Sequence, residues 1–317
     1  MQKLFIIGNG FDLMHRLPTK YVHFQNFLRE NFEYTPDTVE SLWVEGQQLP
    51  DGDIVYNEDD VVRVIDSLIS QTDYKDSDWN DMERSLGLLD YSLINDDITD
   101  VYDKEGTLHP FHTGNNYEDA YSDLKEVLKM FPHFFKLWVS SIDIENSVTF
   151  KNHFFQELID VKNDLFLTFN YTETLEILYN VEIITHIHGV RSKENSIIVG
   201  HGNDDTVDEG TYHEDFYTNE IHHFLRKPTQ KVIDENHLFF SNLRNITQIY
   251  SIGFSFSEVD LIYIQNICSN IDTQDITWYL NIHIDDQGND NRKERATYKE
   301  HIIDCGFKGD FDTFELA

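Results

Sequence analysis

FIIGNGFDLMHRLPT, residues 5–19, is the stretch whose reading decides the fold. Three apolar residues run straight into Gly8-Asn9-Gly10, and a helix-like segment follows from Phe11-Asp12 to Leu17-Pro18. A strand, a small-residue turn and a helix open a βαβ unit. In such a unit the backbone can approach a ligand and the helix aims its first N–H groups at an anion. The dinucleotide fingerprint is incomplete, because Leu13 holds the third glycine position and no acidic strand end follows about 20 residues later. A tight strand-to-helix turn with Asp12 as helix cap explains the same residues equally well.

Short runs rich in β-branched and aromatic residues recur at 3–7, 165–169, 183–187, 196–199, 248–252 and 278–284, and read as strands. Helical spacing lies between them at 172–179, 231–245, 258–270 and 292–304. Strands alternating with helices, several ending in Gly, Asn or His, predict an α/β fold with a Rossmann-like, doubly wound, mainly parallel sheet. Residues 1–20 and 165–317 are assigned to this nucleotide-binding core. The interval 21–164 has apolar residues at helical spacing over 61–69, 79–94 and 117–142, and is assigned as a large helical insertion. Its acidic clusters at 51–60, 73–81 and 96–103 read as solvated loops and helix faces.

The chain carries 24 Lys+Arg against 58 Asp+Glu, a formal charge of -34, which opposes nucleic acid and anionic membranes as partners. A phosphate-bearing small molecule is repelled too, so its site needs local backbone donors. Two cysteines, Cys268 and Cys305, are too few for a cysteine-based structural zinc site and suit a reducing compartment. No apolar run of about 18 residues and no leader-like amino terminus is apparent, so a cytoplasmic location is expected. The aromatic run FPHFFKLW, residues 131–138, fits buried packing better than a subunit contact.

Three further motifs carry chemistry. In LFLTFNYTETLE, residues 165–176, a strand stops at Asn170 and Thr172 reads as the N-cap of the next helix. A buried Asn at a strand end needs partners, and tying a loop together is its plainest use. In ITHIHGV, residues 184–190, His186 and His188 share one strand face. With His201 and Asp204 they offer a zinc or iron cluster for a metal-dependent hydrolase. Alternatively His188 alone serves proton transfer, or it is a satisfied core histidine. In IYSIGFSFSEVD, residues 249–260, Gly253, Ser255 and Ser257 suit a ribose or phosphate contact and equally an ordinary helix cap.

The order GNGFD…LPT, FNYT, HIHG, then GFS followed by an acidic residue, resembles the AbiH family of bacterial phage-defence proteins over residues 1 to about 270. It is more distantly similar to the sirtuin-like NAD-binding fold, whose Pro likewise falls eight residues after the second glycine, as Pro18 does here. The resemblance implies an antiphage effector that cleaves the N-glycosidic bond of NAD or a related nucleotide, with Asn170 and His188 catalytic. It further implies that Gly8, Asn9 and Gly10 line the pyrophosphate, with Asp12 in the same set, and that Gly253, Ser255 and Asn281 meet the adenosine half. No metal is expected. Two cysteines cannot build the four-cysteine zinc module of the sirtuin deacetylases, which sets protein deacylation aside. Arg16 stands where a Gly is usual, altering the turn or supplying a cation. WNDMERSLG resembles a family helix with Trp79 and Glu83 on one face. A homo-oligomer and a phage-derived trigger or partner protein are also implied, and a non-catalytic nucleotide sensor is the remaining alternative.

Overall fold

A computed structural model describes the chain apart from residues 1, 37–40, 71–82, 84–85, 88, 90–91, 195, 203–211, 285–287 and 317. It divides into two compact units, one of residues 1–20, 139–198 and 227–317, the other of 21–138 and 199–226. Residues 139–164 thus group with the sheet, and 199–226 with the helices. In the sequence reading 139–164 stood with the insertion and 199–226 with the core.

The first unit contains six strands: β1 (Gln2–Ile7), β4 (Leu165–Thr168), β5 (Ile184–His186), β6 (Ile246–Ile252), β7 (Thr277–Ile282) and β8 (Asp310–Glu315). They pair in the order β5-β4-β1-β6-β7-β8, and every pairing is parallel. Counted within the sheet this is the doubly wound order 3-2-1-4-5-6, so the direction of winding reverses between the carboxyl ends of β1 and β6. The chain is a Rossmann-like α/β protein.

Both faces of β1 are covered, which is why its sequence is apolar without alternation. Leu4 and Ile6 join Leu167, Ile249, Ile264 and Trp278 in one core. Phe5 points to the other face and stacks between Phe166 and Tyr250, each 5.2 Å away, with Phe155 edge-on at 5.8 Å.

Several expected elements differ. Residues 196–199 form no strand. The Ile198 N–H donates to the His188 carbonyl at 2.9 Å, and the Ile198 carbonyl accepts from the Tyr171 hydroxyl at 2.9 Å, so this segment is pinned as a loop across strand ends. The strand that completes the sheet is β8, DFDTFE, whose acids at 310, 312 and 315 and exposed edge position hid it. The helix expected over 231–245 is broken at Asn236 into Thr229–Glu235, His237–Ser241 and a short turn at Leu243–Asn245. Arg292–Asp304 is helical as expected.

The second unit contains helices Tyr21–Asn31, Glu58–Ser70, Pro110–Lys129 and Tyr212–Phe224, and a small antiparallel ribbon of β2 (Gly46–Gln48) and β3 (Ile54–Tyr56). Its core is aromatic: Phe24 lies 5.7, 5.6 and 5.3 Å from Phe131, Phe135 and Trp138. The FPHFFKLW run therefore supplies packing, with those three aromatic residues all buried.

At the reversal point three glycines interlock. A Cβ on Gly8 would lie 2.5 Å from the Gly253 carbonyl oxygen, one on Gly10 2.6 Å from the Gly253 Cα, and one on Gly253 2.3 Å from the Phe11 nitrogen. Gly253 also has φ +61, a left-handed conformation that favours glycine. Gly253→Ala is expected to lose about 2–5 kcal/mol, from left-handed strain plus overpacking against backbone that cannot yield. Gly106→Ala, at φ +80 with open space around it, should lose only about 1–2 kcal/mol. Urea denaturation of the two variants compares them directly.

Candidate functional site

The turn after β1 spends its own hydrogen-bond donors on the neighbouring loop. The Gly8 N–H donates to the Ile252 carbonyl at 3.0 Å and the Gly10 N–H to the Gly253 carbonyl at 2.9 Å. Asn9 Nδ2 donates to the Thr19 carbonyl at 2.9 Å, tying the LPT segment back. Two amides that a pyrophosphate would use are therefore engaged, and the glycines are there for close backbone packing.

Asp12 sits inside the helix Asn9–Met14, whose N-cap Gly8 offers no side chain, so it is not a cap. Its buried carboxylate accepts hydrogen bonds from the Thr172 hydroxyl at 2.6 Å and the Thr174 hydroxyl at 2.7 Å. Thr172 is accordingly no N-cap either; that position falls to Glu173 without a side-chain bond. Burial pushes the Asp12 carboxyl up to about 6, against the opposing pull of Thr172, Thr174, Asn170 and Arg191. Asn170, just past β4, is 6 % exposed and its Nδ2 has no hydrogen-bond partner, although the amide lies near enough to Asp12 to favour the charged form. Arg191 is anchored to Glu173 at 2.6 Å and to the Val139 and Ile142 carbonyls at 2.9 and 2.5 Å.

Past the end of β5 a second buried set forms. His188 Nε2, Lys227 Nζ and Asp260 Oδ1 make a triangle with all three sides 3.4 Å. Ser257 Oγ donates to the other Asp260 oxygen at 3.2 Å. Phe169 and Tyr263 meet the His188 ring with centroids 5.2 and 5.7 Å away. Burial alone would raise the Asp260 carboxyl, but the Lys227 ammonium and then His188 outweigh it and hold the group below the usual carboxylate range. Gly189, at φ +85, is required because a Cβ there would fall 1.8 Å from the Ser196 carbonyl oxygen.

The two catalytic candidates thus occupy neighbouring positions with different partners. Thr168 of β4 pairs with His186 of β5, and Asn170 and His188 each lie two residues beyond that pair. His186 itself is committed to Glu176 at 2.7 Å and the Asn170 carbonyl at 3.2 Å. His201 belongs to the other unit, where its Nε2 meets the His222 carbonyl at 2.8 Å, and Asp204 lies outside the described residues. Among the described residues no group of three or more His, Cys, Asp or Glu is gathered to hold a metal.

Ser255 is half-buried. Asn281 is the penultimate residue of β7, its carbonyl accepting from Asn291 at 3.1 Å and its buried Oδ1 without a hydrogen-bond partner. Arg16 takes the left-handed φ of +58 that a glycine would adopt freely, and its guanidinium lies 4.5 Å from the centre of the Phe150 ring. Glu83 is buried in the second unit, and Trp79 is not among the described residues. Sequence reasoning missed Thr174 and Lys227. Thr174 follows FNYT closely, but nothing in RKP marks Lys227 as buried. Asp260 closed the motif 249–260 without being given a role.

A parallel sheet with a glycine-packed switch point and buried ionisable groups at its strand ends defines a Rossmann-like α/β protein with a candidate site at the carboxyl edge. Residues 4–282 match the family described as Bacteriophage abortive infection AbiH, and the chain belongs to that family. Its role is accordingly in phage abortive infection. Neither the curated proteins nor the solved structures contain a match to it. No helix among the described residues is long and apolar enough to cross a membrane.

Asp12 gives the fold a pH signature. Between 3.8 and about 6 the folded chain retains a proton that the unfolded chain has lost, so this group's contribution to stability is full below 3.8 and is lost as pH rises through 6. The stability difference between wild type and Asp12→Asn should therefore shift by on the order of 3 kcal/mol in favour of the variant from pH 4 to 6.5. Urea titrations at the two pH values measure it.

Proposed function

We propose that the sheet unit hydrolyses the N-glycosidic bond of NAD or a related nucleotide as the effector step of abortive infection. The observation that carries this reading is Asn170: a buried amide at a strand's carboxyl end, directed at Asp12 beside the switch point of a doubly wound sheet, whose Nδ2 makes no close hydrogen bond. An unsatisfied buried N–H2 costs stability, and a ribose hydroxyl or an attacking water is the kind of acceptor that would repay it.

In the reaction, water attacks the anomeric carbon, the carbon–nitrogen bond breaks, and the nitrogenous base departs with the bonding electrons. Little nucleophilic power is needed, because a pyridinium base leaves readily and the transition state is oxocarbenium-like. Asn170 orients the water or the ribose, and His188 accepts the proton that the water loses. The ligand is a small molecule, since a chain of charge -34 repels extended polyanions. A phage-derived trigger and a homo-oligomer complete the proposal.

The test is nucleotide consumption followed by chromatography, with the purified protein and with infected cells, so that a protein awaiting its trigger is still read. Asn170→Ala and His188→Ala should each lower NAD loss by about 10²–10⁴ relative to wild type. Undiminished loss in both variants, or NAD levels in infected wild-type cells equal to those of cells lacking the protein, overturns the reading.

A further inference from the structure

Lys227 is buried, its side chain 0 % exposed, and it is the first residue of the segment by which the chain returns to the sheet unit. Its ammonium lies 3.4 Å from Nε2 and 3.5 Å from Nδ1 of His188. Equal distances to both ring nitrogens place it against the ring face, since an in-plane approach would collide with the carbon between them. The Asp260 carboxylate reaches Nε2 at the same 3.4 Å from a different segment. A cation and an anion thus act on one imidazole nitrogen at equal distance and with opposite sign. The rings of Phe169, Tyr171 and Tyr263, which also meet the imidazole, bring no formal charge to it.

Stability alone gives a poor reason for such an arrangement. Two buried charges lose their hydration, and apolar residues of similar volume commonly do as well or better. Contacts of 3.4 Å are also longer than those of a tight, bidentate ion pair, so the geometry is not that of the strongest lock.

We infer that Lys227 and Asp260 are positioning residues for His188, setting the charge and the orientation of its imidazole at the end of β5. The inference rests on the proposed role of His188 as proton acceptor. The Lys227 ammonium, set against the ring, opposes a second positive charge there by Coulomb repulsion. Asp260, itself kept ionised by Lys227, stabilises the imidazolium once it has formed. Neither needs to touch the substrate.

The test is nitrogen-15 NMR of the histidine side chains in the full chain, with the His188 signals assigned by their loss in His188→Gln. Removing the cation with Lys227→Met leaves Asp260 alone against the ring, and the ratio of protonated to neutral His188 at fixed pH should rise about 10- to 1000-fold. Asp260→Asn should move the ratio the other way. The double variant Lys227→Met/Asp260→Asn, which removes both charges of the pair, should return it toward wild type, and either single variant read alone serves where the other does not fold. Movement in opposite directions with recovery in the double variant supports the inference. Unchanged His188 signals in a folded single variant, or shifts of the same sign in both singles, overturn it. These spectra need no substrate. A positive NMR result with NAD consumption undiminished in His188→Ala would sink the proposed reaction and leave the charge balance standing.

Discussion

The approach of one backbone to another at Gly8, Gly10 and Gly253 is the constraint on which the sheet unit depends. Any Cβ at these positions would meet backbone atoms at 2.3–2.6 Å, and backbone in the middle of a parallel sheet cannot step aside. With the side chains absent, the turn after β1 donates hydrogen bonds to the Ile252 and Gly253 carbonyls at the end of β6, as if the two strands continued. The helix Asn9–Met14 then leaves the sheet in a fixed direction, which carries Asp12 to Thr172 and Thr174 beyond β4. A Rossmann-like glycine turn ordinarily keeps its amides for a phosphate. Here two of them serve the protein's own carbonyls.

Those side chains include ionisable groups that water does not reach. Asp12 bears the full effect of burial, moderated by two threonine hydroxyls, and so ends near neutrality. Asp260 faces the same burial but also an ammonium and an imidazole, and ends on the other side of its ordinary range. Two aspartates in one sheet edge are thereby driven in opposite directions, one toward the acid and one firmly toward the anion. Environments that separate like groups in this way are a common physical basis for acid–base chemistry. Membership of the AbiH family gives the chain its role in phage abortive infection.

Local residue pattern was enough for the α/β class, the parallel sheet and its opening turn, because a strand buried on both faces must be apolar throughout and a close backbone crossing must be glycine. The strand ends at Asn170 and His188 were legible for the same reason: a polar residue closing an apolar run is conspicuous. β8 escaped because an edge strand buries little, and its alternating acids look like a solvated tail. Residues 196–199 misled in the opposite way, Ile198 being held by the His188 carbonyl and the Tyr171 hydroxyl rather than by a neighbouring strand.

Sequence by itself determined the α/β alternation, the glycine turn after β1 and the candidates Asn170 and His188, all of which follow from short-range sterics and periodicity. Only the tertiary structure decided what those candidates face. Asp12 and Thr172, 160 residues apart, meet because β1 and β4 are sheet neighbours, and Lys227 reaches His188 across 39 residues because the chain returns from its second unit at that point. Charge acts through space without regard to distance along the chain, so the groups that set the ionisation of a buried side chain are found only when the strands are in place.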